Sequence, residues 1–405
     1  ILSIYLEREF MKKKYKQSTQ FIRSGLNRSN FNETSEGIFL TSGFVYNSAE
    51  EAEACFNETK KKYMYSRFSN PTIEVFEKKL AMIEGAEACW ATASGMSAVF
   101  TIFMSQLSAG DRVVSSRALF GSCNHVLTKI LPRFGIEVVL IDGTDLNQWE
   151  TELQKKTKLV FFETPSNPCL EMVDINEVSK LAHKSGALVV VDNVFATPIF
   201  QKPLKFGADI VMYSATKHID GQGRVLGGAI LGPKKFCDKY IKPFIRNTGP
   251  SISPFNAWVL LKGLETLELR VQKQDENSKK IVDFLKKNNS VKKIYYPTDE
   301  NFSQKNLAKR QMSGGGNIIS FELNFDKKKT FSFLNNLKLI DISNNLGDSK
   351  TLITHPETTT HHKLTSKEKK ILNINKNLVR LSIGLEDYSD IIDDIDNSIK
   401  KVLNQ

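Results

Sequence analysis

Two short apolar runs constrain this chain more than any other feature. Ala187 to Val191 ends at Asp192, and Ala208 to Tyr213 leads into Ser214-Ala215-Thr216-Lys217. Continuous apolar runs of this length, bounded by polar residues, predict strands buried on both faces of a sheet. Open α/β sheets bind ligands at the carboxyl ends of their strands. An acid and a lysine therefore stand where a ligand would sit, separated by enough chain for one crossover. A lysine flanked by Ser214 and Thr216 suits a Schiff base beside a phosphate, and the Asp192 carboxylate suits a pyridinium nitrogen. Together they point to pyridoxal phosphate. Taken singly, an Asp ending a strand is more often a turn residue, and a Lys is usually solvated. The remainder of the chain has to support the pair.

It does so first through its alternation. From Asp111 the pattern reads as strand Val113-Val114, a helix opened by Phe120-Gly121-Ser122 and ending near Arg133, and strand Ile136 to Ile141. Strand Lys158 to Phe162 follows and ends at Glu163, then helix 174–185 leads to the Asp192 strand. Alternating β and α units predict a mostly parallel sheet covered by helices, an α/β fold. Beyond Lys217 come a loop at Asp220 to Arg224, a strand at Gly227 to Leu231 and a turn at Arg246 to Pro250. A long helix is expected from about Pro254 to Lys287. From residue 289 short strands (Lys293 to Tyr296, Ile318 to Leu323, Leu378 to Ile383) alternate with helices 328–336 and 387–403, as in a small α+β domain. The expected organisation is an N-terminal arm over 1–62, a large cofactor domain over 63–262, and a linking helix with the C-terminal domain over 263–405.

Other segments carry chemistry of the same kind. Asn70 and Pro71 are a good cap and first residue for a helix. Capping does not account for Tyr65 and Arg67 in the loop before it, where an arginine suits a phosphate fork. Ser94-Gly95-Met96 opens a further helix, whose N-terminus offers N–H groups to an anion. Phe120 falls at a strand-to-helix turn on the ligand edge, where an aromatic ring can stack on a planar group. Arg380 interrupts the apolar strand Leu378 to Ile383. A buried arginine is costly without an anion, which favours a carboxylate ligand.

Composition excludes several alternatives. The net charge is +11, but the lysine runs at 12–14, 60–62 and 327–329 are scattered and lack interleaved aromatics. They read as solvated faces rather than a nucleic-acid surface. No apolar run is long enough for a membrane helix. The five cysteines form no CxxC pair, which suits reduced thiols and a cytoplasmic setting. His361-His362 belongs to no HExxH pattern, so no metal site is expected. The first ten residues make a poor signal peptide, and Met11 reads as the natural start.

The segments Tyr65-Ser66-Arg67 with Asn70-Pro71-Thr72, Ser94-Gly95-Met96, Glu163-Thr164-Pro165 with Asn167-Pro168, Asp192-Asn193, and Ser214-Ala215-Thr216-Lys217 occur here in one order. In that order they resemble the Cys/Met-metabolism (trans-sulfuration) family of fold-type I pyridoxal-phosphate enzymes, from about Thr19 to Leu403. Within the family, Ala118 to Ser122, Asp220 to Arg224, Arg246 to Pro250 and Asp341 to Asp348 resemble the sulfhydrylases that act on O-succinylhomoserine.

The resemblance implies that Lys217 holds the cofactor covalently and serves as general base and acid, assisted by Tyr65. It implies that Asp192 pairs with the pyridine nitrogen, that Phe120 stacks on the ring, and that Ser94, Gly95, Met96, Ser214 and Thr216 hold the phosphate. Tyr65 and Arg67 would reach the phosphate of a neighbouring subunit in a homotetramer with shared active sites. Asn167, Asn345, Leu346 and Arg380 would bind the substrate. The implied reaction is γ-replacement on O-succinylhomoserine by sulfide, giving homocysteine and succinate for methionine biosynthesis. The rivals are cystathionine γ-synthase, O-acetylhomoserine sulfhydrylase and methionine γ-lyase. A non-catalytic basic binding protein on the same scaffold is disfavoured by the intact Asp192, Lys217 and Arg380. Many members of the family carry Tyr where Phe120 stands and Ser where Asn345 stands, and both departures count against a lyase.

Overall fold

The computed structural model describes residues 15–26 and 28–405. Met11 and the lysine run at 12–14 lie outside the described residues. The chain forms two compact units. One comprises residues up to Gln106 with Tyr213–Thr216 and Arg224–Thr266, and the other Leu107–Met212, Lys217–Gly223 and Leu267–Gln405. The fold is α/β, with a mostly parallel mixed sheet and a second, smaller sheet.

The second unit holds the strands that the apolar runs predict. Residues Ile210 to Met212 and the strands Leu188–Asp192, Leu159–Glu163, Arg112–Ser116 and Glu137–Ile141 lie side by side in that order, and the pairings of the last four are parallel, as is that of Asp192 with Met212. Val160, Phe162, Val189 and Val191 are wholly buried because helices cover the sheet. Phe162 packs edge-on against Trp149 at 5.9 Å, whose indole N–H donates to Gly143 O. Burying a side chain of this size contributes roughly 1.5–3 kcal/mol. Parallel pairing carries the register to the strand ends, where Glu163 lies opposite Asp192.

The smaller sheet runs Asp341–Ile342, Leu352–Thr354, Leu378–Ser382, Ile318–Leu323, Val291–Tyr295. Helix Tyr388–Leu403 covers it with Ile391, Ile395, Ile399 and Val402, a stripe at helical spacing packed against Phe321, Phe333 and Val379. Arg380 sits between Ser320 and Thr354 in this sheet.

In the first unit Asn70 caps helix Pro71–Glu84 by accepting from Thr72 N–H at 2.9 Å, and Gly85 ends it at φ 88°. Strand Ala88–Thr92 pairs antiparallel with Gly228–Gly232. It leads into helix Gly95–Gln106.

Three differences from the sequence reading have local causes. The long helix expected to Lys287 is two, Pro254–Glu265 and Leu267–Lys287, because Thr266 leaves helical geometry (φ −110°, ψ 3°) and turns its N–H back to Gly263 O. The helix from Phe120 is an α turn at Gly121–His125, a wider π turn at Val126–Ile130 and a tight 3-10 turn at Leu131–Phe134. Pro132 supplies no N–H to an α-helical continuation, and Gly135 ends the run at φ 71°. The N-terminal arm, for which the sequence reading names no helix, holds helix Ala49–Phe56, capped by Ser48 accepting from Glu51 N–H. Among the described residues no helix is long and apolar enough to cross a membrane.

Candidate active site

The first unit contains a close-packed turn at the start of helix Gly95–Gln106. A Cβ on Gly95 would lie 2.6 Å from Ser214 Cβ, and one on Gly228 would lie 2.2 Å from Ser94 O. Only glycine permits this approach, so the helix N-terminus, the positive end of its dipole, lies against the Ser214 side chain. Ser94 Oγ accepts from Ser97 N–H at 3.1 Å. Thr216 Oγ1 accepts from Gly227 N–H at 3.1 Å, which orients the hydroxyl that follows Ser214 by two residues. Ser94, Gly95, Ser214 and Thr216 therefore bring a helix N-terminus and hydroxyls into one unit, a combination suited to a phosphate. Met96 occupies the first turn of the same helix.

Tyr65 and Arg67 belong to the same unit. Tyr65 is 41 % exposed, and the Arg67 guanidinium stacks over its ring at 5.3 Å and over Phe68 at 5.2 Å. Arg67 also donates to Arg246 O. Stacking and this single carbonyl hold the guanidinium without neutralising it.

The second unit contains the lysine. Lys217 Nζ donates to Asn345 Oδ1 at 2.6 Å, and among the described residues no carboxylate pairs with it. Burial, with a smaller push from Arg380, lowers its pKa to about 8. Roughly a tenth of it is then free amine at neutral pH, against well under a thousandth for an ordinary lysine. A free amine is what imine formation and proton transfer require.

Arg380 is 2 % exposed. Its Nη1 donates to Asn167 Oδ1 at 2.9 Å, and Nη2 to the carbonyls of Asn344 at 2.9 Å and Asn345 at 3.3 Å. Nε is buried with no partner. Every acceptor is neutral, so the positive charge stays uncompensated, and burial alone lowers its pKa to about 10. A buried guanidinium held in this way is suited to a carboxylate. His361, whose buried Nε2 has no partner, senses the same charge: burial and Arg380 hold its pKa down at about 4. Leu346 is buried among Ala118, Cys169 and Leu170. Its side chain is core, which leaves its backbone for any ligand contact.

Asp192 and Phe120 complete this unit's set. Asp192 Oδ1 accepts from Val194 N–H at 3.0 Å, and loss of water raises its pKa to about 7. The Phe120 ring is 38 % exposed, and its amide donates to Glu163 Oε1 at 2.6 Å.

The sequence reading did not assign roles to Glu163, Asn344 or His218. Glu163 ends its strand as Asp192 ends the next, and that parallel was the available signal. Asn344 contributes only a carbonyl and leaves no signature. His218 is buried, bonds Asn317 Oδ1 at 2.7 Å, and is held near pKa 4 by burial. Its place beside Lys217 in the chain was the only hint.

These residues fit pyridoxal phosphate. The Gly95 turn has the close backbone approach and hydroxyls that a phosphate needs. Lys217 is a desolvated amine without a carboxylate partner. Asp192 is a carboxyl with no cation of its own among the described residues, as a protonated ring nitrogen requires.

Comparison with known proteins agrees. A family model described as Cys/Met metabolism PLP-dependent enzyme matches residues 18–400. The chain is 52 % identical over 387 residues to an O-succinylhomoserine sulfhydrylase of Mycobacterium tuberculosis, covering 95 % of each chain. It is 42 % identical over 373 residues to one of Pseudomonas aeruginosa, covering 92 % of each. The crystal structure of a putative O-acetylhomoserine (thiol)-lyase from Campylobacter jejuni, which contains N'-pyridoxyl-lysine-5'-monophosphate, superposes with a TM-score of 0.91 at 32 % identity, over 95 % of this chain and 100 % of that one. By its matched motifs, its fold and the length of the match, this chain belongs to the Cys/Met-metabolism family of pyridoxal-phosphate-dependent enzymes.

Proposed function

We propose that the protein replaces the succinyloxy group of O-succinylhomoserine with sulfide, releasing homocysteine and succinate, as a step of methionine biosynthesis. What carries the reading is the similarity to proteins of that name at 52 % and 42 % identity across nearly the whole chain. The neutral shell around Arg380 is consistent with it, since an amino-acid substrate must bring a carboxylate.

Bound pyridoxal phosphate supplies an electron sink for the pair released when the Cα–H bond breaks. This chain's residues do the remaining work. Arg380, held flat by Asn167 and the Asn344 and Asn345 carbonyls, binds the substrate α-carboxylate and fixes the Cα–H bond in one direction. Lys217, acting as its free amine, removes the Cα proton and then a Cβ proton, and afterwards returns one to each carbon. Asn345 Oδ1 holds the Lys217 amine in position between these transfers. Asp192 keeps the ring nitrogen protonated, and Phe120 stacks on the ring. Ser94, Gly95, Met96, Ser214 and Thr216 hold the phosphate. The succinate carboxylate leaves Cγ with its bonding pair, and hydrosulfide adds there, so charge and atoms balance.

Tyr65 and Arg67 act on the phosphate of a neighbouring subunit in a cytoplasmic homotetramer, and Tyr65 assists Lys217. Tyr65 is exposed, and Arg67 is half-buried on a cleft of about 2160 Å³ in the first unit that Lys62, Arg246 and Glu77 also line; both observations support this. The test is product analysis with O-succinylhomoserine and either sulfide or cysteine. Homocysteine formed from sulfide supports the reading, and turnover confined to cysteine moves the assignment to cystathionine γ-synthase.

A further inference from the structure

Glu163 and Asp192 end two parallel strands that pair residue for residue. That register turns both carboxyls to the same face. One oxygen of each, with Cys123 Sγ, lies within 4.8 Å of the others. Glu163 is 5 % exposed. The groups that act on it most are the Asp192 carboxyl on the adjacent strand, the Phe120 and Asn167 amides on the flanking loops, and the Cys123 thiol on helix Gly121–His125. None of these is a cation. Asp192 receives one amide hydrogen, from Val194. Two carboxyls this close, one buried and the other half-buried, with no opposite charge beside them among the described residues, do not both ionise at neutral pH; they titrate as a pair.

We propose that Glu163 and Asp192 hold one proton between them, and that Glu163 is the positioning residue that keeps it while Asp192 stands ionised opposite the ring nitrogen. The inference rests on the assignment of Asp192 to that nitrogen. A protonated Glu163 still accepts the Phe120 amide on one oxygen and presents its O–H to the pair on the other. One carboxyl thus ties the stacking residue and the ring's counter-ion to a common point. Ionised, it would compete with Asp192 for the same cation and repel it. Burial, followed by the charge on Asp192, pushes Glu163 well above the usual carboxylate range, and burial raises Asp192 too; both directions agree with the geometry.

The test uses the full-length apoprotein and its cofactor complex. A pair that holds an extra proton only when folded makes the apoprotein lose stability as pH rises above the ordinary carboxylate range. Glu163→Gln and Asp192→Asn should each flatten the pH dependence of melting by about one proton, and the double variant by no more than either. Pyridoxal phosphate should bind Glu163→Gln within about threefold of the unsubstituted protein, because an amide mimics a neutral acid. Glu163→Ala, which also drops the Phe120 amide, should weaken binding tenfold or more. An additive effect of the two substitutions on the slope, or a loss of tenfold or more on Glu163→Gln, overturns the proposal. If Glu163→Gln does not fold, the slope of Asp192→Asn decides: flattening supports the shared proton, and an unchanged slope overturns it. The slopes need no cofactor. A failure there with normal cofactor binding sinks only this inference, whereas failure of Asp192→Asn to weaken cofactor binding sinks the assignment of Asp192.

Discussion

Lys217 Nζ and Asn345 Oδ1 lie 2.6 Å apart, the amine donating to the side-chain amide oxygen. A carbonyl acceptor favours the charged ammonium, while burial and Arg380 oppose it more strongly and bring the pKa to about 8. Asn345→Ala removes the acceptor that favours the charged amine. The pH midpoint for capture of pyridoxal phosphate by the apoprotein should fall below about 8, by up to about one unit, since such a bond contributes roughly 0.5–1.5 kcal/mol. Turnover should fall too, because the amine loses its anchor. The check is the capture rate as a function of pH, and a midpoint that rises would show that Asn345 does not hold the amine.

Lys217→Ala should remove the cofactor's covalent attachment and lower turnover by about 10²–10⁴-fold or more, the range for a positioned acid–base group. Absorbance spectra and steady-state kinetics on the same preparation read both. Full activity in this variant would contradict the mechanism.

Arg380 is anchored by neutral oxygens alone among the described residues, so its charge is uncompensated within the fold. Arg380→Lys keeps a charge but loses the planar fork. The loss of charged hydrogen bonds, about 1.5–3 kcal/mol, should appear as a fall of about ten- to a hundredfold in kcat/KM, carried by KM. An unchanged KM would place the substrate carboxylate elsewhere.

Phe120→Tyr restores the hydroxyl that many family members carry at this position. It should raise γ-elimination in the absence of sulfide by about tenfold relative to replacement, since it adds an acid–base group. Product ratios measure this, and an unaltered ratio would mean that the ring contributes stacking alone.

His218 and His361 are neutral in the fold, with pKa values held down near 4 chiefly by burial. The unfolded chain takes up protons at an ordinary histidine pKa, and the folded chain does so only nearer 4. The stability that these two rings contribute is therefore complete above about pH 6.5 and lost as pH falls from there toward 4. A shift of this size is worth about 3 kcal/mol per group. Two rings outweigh the one proton of the Glu163–Asp192 pair, so melting temperature should drop across that window, and His218→Gln should flatten the drop. A melting curve indifferent to pH over this range would contradict the burial of both rings.

Much of this was readable beforehand, for definite reasons. Val189 to Val191, an apolar run bounded by polar residues, reads as a strand buried on both faces, and all three are wholly buried in strand Leu188–Asp192. Arg380 announced itself as a charge inside an apolar strand, and the structure gives it only neutral partners. Glu163 was harder, because its meaning depends on the register that sets it opposite Asp192, and one strand read alone carries no register. The Lys217–Asn345 bond spans 128 residues and follows from no local pattern. The break at Thr266 escaped because Leu260, Leu264 and Leu267 keep a helical rhythm across it.

The most direct test of the central claim is product analysis of the purified enzyme, loaded with pyridoxal phosphate and given O-succinylhomoserine with sulfide and cysteine in competition. Homocysteine and succinate in equal amounts, formed from sulfide and lost in Lys217→Ala, is the predicted result. Turnover with cysteine alone, or product that persists in Lys217→Ala, would contradict the account.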